Sequence, residues 1–196
     1  MKVKNIFILA AMSLTLASCS DLFEPAEENN RGLDEIYNEP TYAQGLLGYG
    51  YAMLPYNTKS VTDVATDDAV TNNLTDSYLK MATGSWTANS DPMSKWTSGR
   101  ATIQYLNIFL QEVDKVNWAK DENARKMYCD SRKGEAYALR ALNLYYLLMN
   151  HGGWTADGKL LGVPNLTEPE TSTDDFNKPR NTFQECLDQI YSDLDE

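Results

Sequence analysis

Apolar residues in this chain gather into stretches with a helical repeat, separated by long polar intervals. From Thr41 to Leu54, the residues Leu46, Leu47 and Leu54 share one side of a helix; Thr41 and Gln44 read as the capping box that opens it, and Pro55 closes it. Ile103, Leu106, Leu110 and Val113 recur at spacings of three and four, joined by Phe109 and Val116, which marks the inward stripe of a second helix. A third runs from about Asp121 to Asn150 and is ended by Gly152-Gly153 in the manner of a glycine cap. Its later half, Gly134 to Leu148, is apolar on most sides, so it lies centrally, and its alanines let neighbouring helices come close. The capping box Thr182 and Glu185 opens a last helix carrying Phe183, Leu187, Ile190, Tyr191 and Leu194. The pattern predicts an all-α (mainly α) fold of tetratricopeptide-like helix pairs with long irregular loops.

Two details sharpen this reading. Arg140 interrupts the most apolar helix, and Glu135 is off its face, so its partner is a carboxylate or carbonyls from another segment and its role is structural. The last helix ends on Asp193-Leu194-Asp195-Glu196, with no glycine and with acids where the helix dipole disfavours them. That predicts a truncated chain whose helix continues and whose apolar stripe is covered by a following helix. Tyr56 to Lys95 has no period at all: it is Thr, Asn, Asp, Ser and Gly with scattered aromatics. Loops of this length inside a domain are functional or disordered.

The N-terminus follows a different logic. Met1-Lys2-Val3-Lys4 precedes an uncharged, mostly apolar run, Ile6 to Ala17, too short to span a bilayer. A basic start, a short apolar run and small residues describe a secretory signal. Leu16-Ala17-Ser18-Cys19 has the order of a bacterial lipobox. This resembles bacterial lipoproteins, which implies removal of residues 1–18 and diacylation of Cys19. Two acyl chains make a stable tether where one does not, so the predicted anchor attaches without spanning. Residues 19–40 are acidic and polar and read as a solvated tether, with the folded part at 41–196. Acids directly after the lipidated cysteine resemble the surface-export signals of Bacteroidetes lipoproteins.

Charge and composition exclude several classes. The net charge is −11, and loss of Lys2 and Lys4 with the leader takes it to −13. Nucleic acid is therefore not a partner, because a phosphate backbone needs a basic face, and adsorption to anionic lipid is disfavoured. A single histidine, His151, argues against a His-based metal site or a histidine-dependent triad. Cofactors are not expected. Cys129 and Cys186 could pair in an oxidising compartment or remain as two buried thiols. Asp67-Asp68 and Asp174-Asp175 are adjacent acids in polar loops, where nothing raises a carboxyl pKa for acid–base work, so no catalytic residue is assigned.

The order of motifs carries a family likeness. Gly134-Glu135-Ala136 through Arg140-Ala141 to Tyr145-Tyr146, then Leu161-Gly162-Val163-Pro164, then Pro179-Arg180-Asn181-Thr182 into Ile190-Tyr191-Ser192-Asp193-Leu194, resembles the SusD/RagB family. Trp96 with Tyr105 and Asn107 resembles the family helix before these, and Asp63 to Asp68 the acidic stretch after its first helix. The likeness runs from Tyr37 onward and corresponds to the N-terminal portion of longer family members. It implies an outer-membrane lipoprotein exposed at the cell surface that binds a glycan or other nutrient and caps a TonB-dependent, SusC-like transporter. Starch-binding members draw a tryptophan and a nearby asparagine from the irregular region, which by resemblance points to Trp86 and Asn89 here, with Tyr78 and Asp67 as weaker candidates. Trp86 packed under the loop as core is the competing reading. At the level of function the alternatives are a helical-repeat scaffold without a small ligand and a surface glycoside hydrolase.

Overall fold

The structure, a computed structural model, describes residues 37–54 and 62–196. Cys19, residues 1–18, most of residues 19–40 and Pro55, on which several of these expectations fall, lie outside the described residues. Helix α1 spans Pro40–Ala52, α2 Leu79–Ala82, α3 Trp96–Glu112, α4 Glu122–His151 and α5 Phe183–Leu194. A hairpin of two short antiparallel strands, β1 (Gly153–Trp154) and β2 (Leu160–Leu161), turns between α4 and the segment leading to α5. The architecture is mainly α. No described helix is long and apolar enough to cross a membrane.

Helices α1, α4 and α5 each start for an identifiable reason, and the first does not use the expected one. In α1 the N-cap is Glu39, with no side-chain cap bond, and Pro40 occupies the first turn. The Thr41–Gln44 capping box does not form, because the helix already opens at Pro40 and Thr41 is its second residue rather than its N-cap. The helix ends at Ala52, before Leu54. In α4 the Asp121 carboxylate accepts the Ala124 N–H at 2.8 Å. In α5 the Thr182–Glu185 box is complete: Thr182 Oγ accepts the Glu185 N–H at 3.1 Å, and the Glu185 carboxylate accepts the Thr182 N–H at 2.7 Å.

Gly152 ends α4, but not through the left-handed conformation that favours glycine; its φ is −72°. Space decides instead. A Cβ there would lie 2.5 Å from the Leu148 carbonyl oxygen and 3.2 Å from the Phe183 ring. Gly162 is constrained the same way, since a Cβ would overlap Cys186 Sγ.

The core has two apolar clusters. One joins Ala43 and Leu47 of α1 to Leu106, Phe109, Ala136 and Leu139; the other joins Ile103, Leu144, Leu147 and Leu148 to Val163, Cys186 and Ile190. Helices α3 and α4 contribute to both. Between the clusters lies a buried polar node: Arg140 Nε and Nη2 donate to the two Asp193 carboxylate oxygens at 2.8 and 2.5 Å, and Nη1 donates to Asn107 Oδ1 at 2.9 Å and to the Thr167 carbonyl at 3.2 Å. Asn107 Nδ2 donates to the Leu166 and Glu168 carbonyls, both at 3.0 Å. Asp193, which looked like an acid at odds with the helix dipole, is thus the counter-ion of Arg140. Tyr191 and Leu194 on the same helix are exposed.

The remaining polar staples are equally specific. Gln104 exchanges two hydrogen bonds with the Glu170 backbone, at 2.7 and 2.8 Å, and Arg100 pairs with the Glu170 carboxylate at 3.1 Å. Residues 100, 104 and 107 of α3 therefore hold the 166–170 strip one helical turn at a time. Arg180 donates to the Gly162, His151 and Leu161 carbonyls at 2.6, 2.8 and 3.1 Å, tying the end of α4 and the hairpin to the start of α5. At the other end, Tyr37 hydrogen-bonds Glu112, and its carbonyl accepts the Asn117 N–H at 2.9 Å, so the folded body is fastened before α1 begins.

Candidate functional site

The long aperiodic segment is built from small side-chain-locked turns. A 3-10 turn covers Thr62–Ala65. Thr66 Oγ then donates to the Asp63 carbonyl at 2.7 Å and accepts the Asp68 N–H at 3.2 Å. Asn73 Oδ1 accepts the Thr75 N–H at 3.1 Å, and Asp76 Oδ1 the Tyr78 N–H at 2.9 Å. These are the local side-chain bonds that Asn, Asp and Thr offer a backbone with no helix or sheet to join.

After α2 the chain reverses at Gly84, whose φ is +68°, a conformation glycine adopts without steric cost. Trp86 follows. It stands directly ahead of a tight turn, Thr87 to Ser90, closed by the Ser90 N–H on the Thr87 carbonyl at 2.8 Å. Asn89 lies within that turn. Lys80 Nζ donates to Ser90 Oγ at 2.7 Å, which ties the turn back to α2, and Tyr78 is the N-cap residue of α2.

The structure therefore places Asn89 within one turn, Trp86 immediately before that turn, and Tyr78 at the start of the short helix to which it is tied. Trp86 is 51% exposed, so it is not core under the loop. Asn89 and Asp67 are exposed and Tyr78 is half-buried. Asp67 belongs to the separate turn after Ala65, and among the described residues no hydrogen bond or ring contact joins it to the other three. An exposed indole face with an amide in the same turn can lie against the C–H face of a sugar while the amide donates and accepts at ring hydroxyls.

A second concavity was not foreseen in the sequence. A hollow of about 470 Å³ is lined by Asn107, Leu110, Gln111, Tyr137, Arg140 and Glu168, among others. The guanidinium at its floor is committed to Asp193, Asn107 and Thr167, and the Tyr137 ring stacks on it at 5.1 Å. The floor is structural. Its signal in the sequence was Arg140 itself, a charge on an apolar helix.

The carboxylates of the Asp174-Asp175 pair have local duties. Asp174 accepts the Thr171 N–H at 2.6 Å, and that backbone bond, with the Thr171 hydroxyl, holds its carboxyl below the ordinary aspartate value. Asp175 accepts the Asn177 N–H at 2.8 Å. Among the described residues no group of three or more His, Cys, Asp or Glu side chains is arranged to hold a metal ion. Cys129 and Cys186 are both free and buried, which answers the open question of their pairing.

A helical body with short hairpin and stapled loops, carrying an exposed aromatic turn, is the class that fold and site define. Comparison with known proteins makes this specific. Residues 32–196 match the model of the SusD-like family described as starch-binding and associating with the outer membrane. The chain belongs to the SusD-like family. A SusD-like protein of Formosa agariphila is 29% identical over an alignment of 216 residues that takes in 100% of this chain and 37% of the relative. A crystal structure of a candidate sugar-binding protein from Bacteroides vulgatus is 28% identical, with a TM-score of 0.59 over 81% of this chain and 36% of the other. The chain thus spans a little over a third of the length of both.

Proposed function

We propose that this chain is part of a glycan-binding lipoprotein of the bacterial outer membrane, exposed at the cell surface, that delivers an oligosaccharide to a TonB-dependent, SusC-like transporter. Binding rather than catalysis is its task. Membership of the SusD-like family over residues 32–196 carries the reading, and the sugar-binding description of the Bacteroides vulgatus neighbour supports it. Trp86 and Asn89 are its contact residues, with Tyr78 and Asp67 as weaker candidates. The anchor is Cys19, acylated after removal of residues 1–18, and the tether lies within residues 19–40.

Affinity electrophoresis of the full-length protein through gels containing single polysaccharides tests the binding. Retardation by at least one supports the reading. Retardation by none, with a co-purifying protein other than a barrel transporter, favours a scaffold, and release of reducing sugar favours a hydrolase. Incorporation of radiolabelled palmitate that disappears in Cys19→Ala tests the anchor separately.

A further inference from the structure

His151 is the only histidine in the chain, and it closes α4 at the point where the 62–95 segment runs into α3. Its Nε2 accepts the Lys95 backbone N–H at 3.3 Å and lies 3.4 Å from Ser94 Oγ. Its ring stands edge-on to Trp96, with centroids 5.3 Å apart. Lys95 is the N-cap of α3 and makes no side-chain cap bond. The Trp96 N–H is taken by Ser94 Oγ at 3.4 Å. His151 and Ser94 together therefore supply the acceptors that the opening of α3 lacks.

This arrangement requires a neutral imidazole. A protonated ring carries a proton on both nitrogens and has no lone pair to offer. Two N–H donors would then face each other across 3.3 Å, at the positive end of the α3 dipole. The charged groups around the ring come from three sides. Asp91 on the incoming segment favours the charged form. Arg180, which holds the His151 carbonyl at 2.8 Å, opposes it. Lys95 and Arg100 belong to the α3 side, where Arg100 lies 5.3 Å from the centre of the Trp96 ring and is paired with Glu170 at 3.1 Å. Burial, assisted by Arg180 and partly offset by Asp91, moves His151 below the ordinary histidine value.

We infer that His151 is an acid-released clasp: neutral, it pins the end of the 62–95 segment to the end of α4, and protonated, it lets that segment go. The clasp is intact above the ordinary histidine pKa of 6.5 and is lost as pH falls through the lower folded value. The released segment carries Trp86 and Asn89. Only this consequence, a weaker hold on a glycan in acid, rests on the proposed function.

Two-dimensional ¹H–¹⁵N spectra of the full chain, titrated from about pH 7.5 to about pH 4.5, test the clasp. The Lys95 amide resonance should move with one midpoint below 6.5. Its hydrogen exchange, corrected for the intrinsic rate, should quicken on the order of tenfold relative to amides in the middle of α4. His151→Gln keeps an acceptor that does not titrate and should abolish the transition. His151→Phe should show the released exchange rate already at neutral pH. A Lys95 amide that stays put across the range, or a transition that persists in His151→Gln, overturns the inference. No glycan is present in this experiment, so a failure of the sugar-binding reading leaves its outcome unchanged.

Discussion

Arg140 and Asp193 form a two-point ion pair in which both side chains are more than nine-tenths buried. They stand 53 residues apart in the chain and lock the central helix to the last one. A buried pair of this kind contributes little net stability, because desolvation offsets the attraction, but losing one partner strands the other charge. Asp193→Asn or Arg140→Leu should each cost about 3–5 kcal/mol in denaturant unfolding. The double variant Arg140→Leu/Asp193→Leu should cost less than either. A loss in the double variant equal to the sum of the two single losses would mean that the pair is not coupled.

Glycine positions should separate by space rather than by helix propensity. Gly45 lies within α1, and a Cβ there meets nothing within 4 Å, so Gly45→Ala should stabilise by about 0.5–1 kcal/mol. Gly162→Ala should destabilise by about 1–3 kcal/mol because its Cβ must displace the Cys186 thiol. Thermal melts of the two variants should shift in opposite directions.

Acid should weaken the fastening at Tyr37. Burial alone would raise the Glu112 carboxyl, but hydrogen bonds from Lys115 and Tyr37 outweigh it and hold the group below its ordinary value of 4.5. A carboxylate depressed in the folded state contributes stability above its unfolded pKa and loses that contribution as pH falls through the folded pKa. Tyr37→Phe removes one donor and should cost on the order of 1 kcal/mol at neutral pH. Urea midpoints of wild type and variant should draw together as pH falls below 4.5 and through the lower folded value.

Both thiols should resist modification until the protein unfolds. Burial, with the Asp114 carboxylate beside it, pushes the Cys129 thiol up to about 11, and burial also raises Cys186. The thiolate is the reactive form. In a Cys19→Ala chain, Ellman's reagent should label neither Cys129 nor Cys186 in the native state and both in guanidinium chloride.

The parts of the fold legible in the sequence are those decided locally. Helices α3, α4 and α5 announced themselves through periodic apolar residues, and α5 through a capping box whose two members both form their bonds. Arg140 was recognisable as a structural charge, yet its partner was not. Asp193 reads as a misplaced acid until the fold brings it beneath a guanidinium from another helix. The capping box at Thr41 does not form because the helix opens earlier, at Pro40, which leaves Thr41 inside its first turn. Gly152 looked like a conformational cap and is a packing constraint set first by the Leu148 carbonyl oxygen and then by Phe183, the second a contact no local pattern encodes. The hairpin strands have two residues each, too few to show alternation.

The candidate site was legible only by resemblance. Trp86 and Asn89 lie three positions apart in a segment without a period, and nothing local distinguishes an exposed indole from one folded under. The lock between Lys80 and Ser90 that ties their turn to α2 joins residues ten apart, and its hydroxyl and ammonium groups are common to any polar loop.

The central claim is that Trp86 and Asn89 grip a sugar. Isothermal titration calorimetry of the full-length protein, with an oligosaccharide cut from a retarding polysaccharide, tests it most directly. Trp86→Ala should weaken binding on the order of tenfold or more, with the melting temperature essentially unchanged because the side chain is half exposed. Unaltered affinity in Trp86→Ala and in Asn89→Ala would contradict the account.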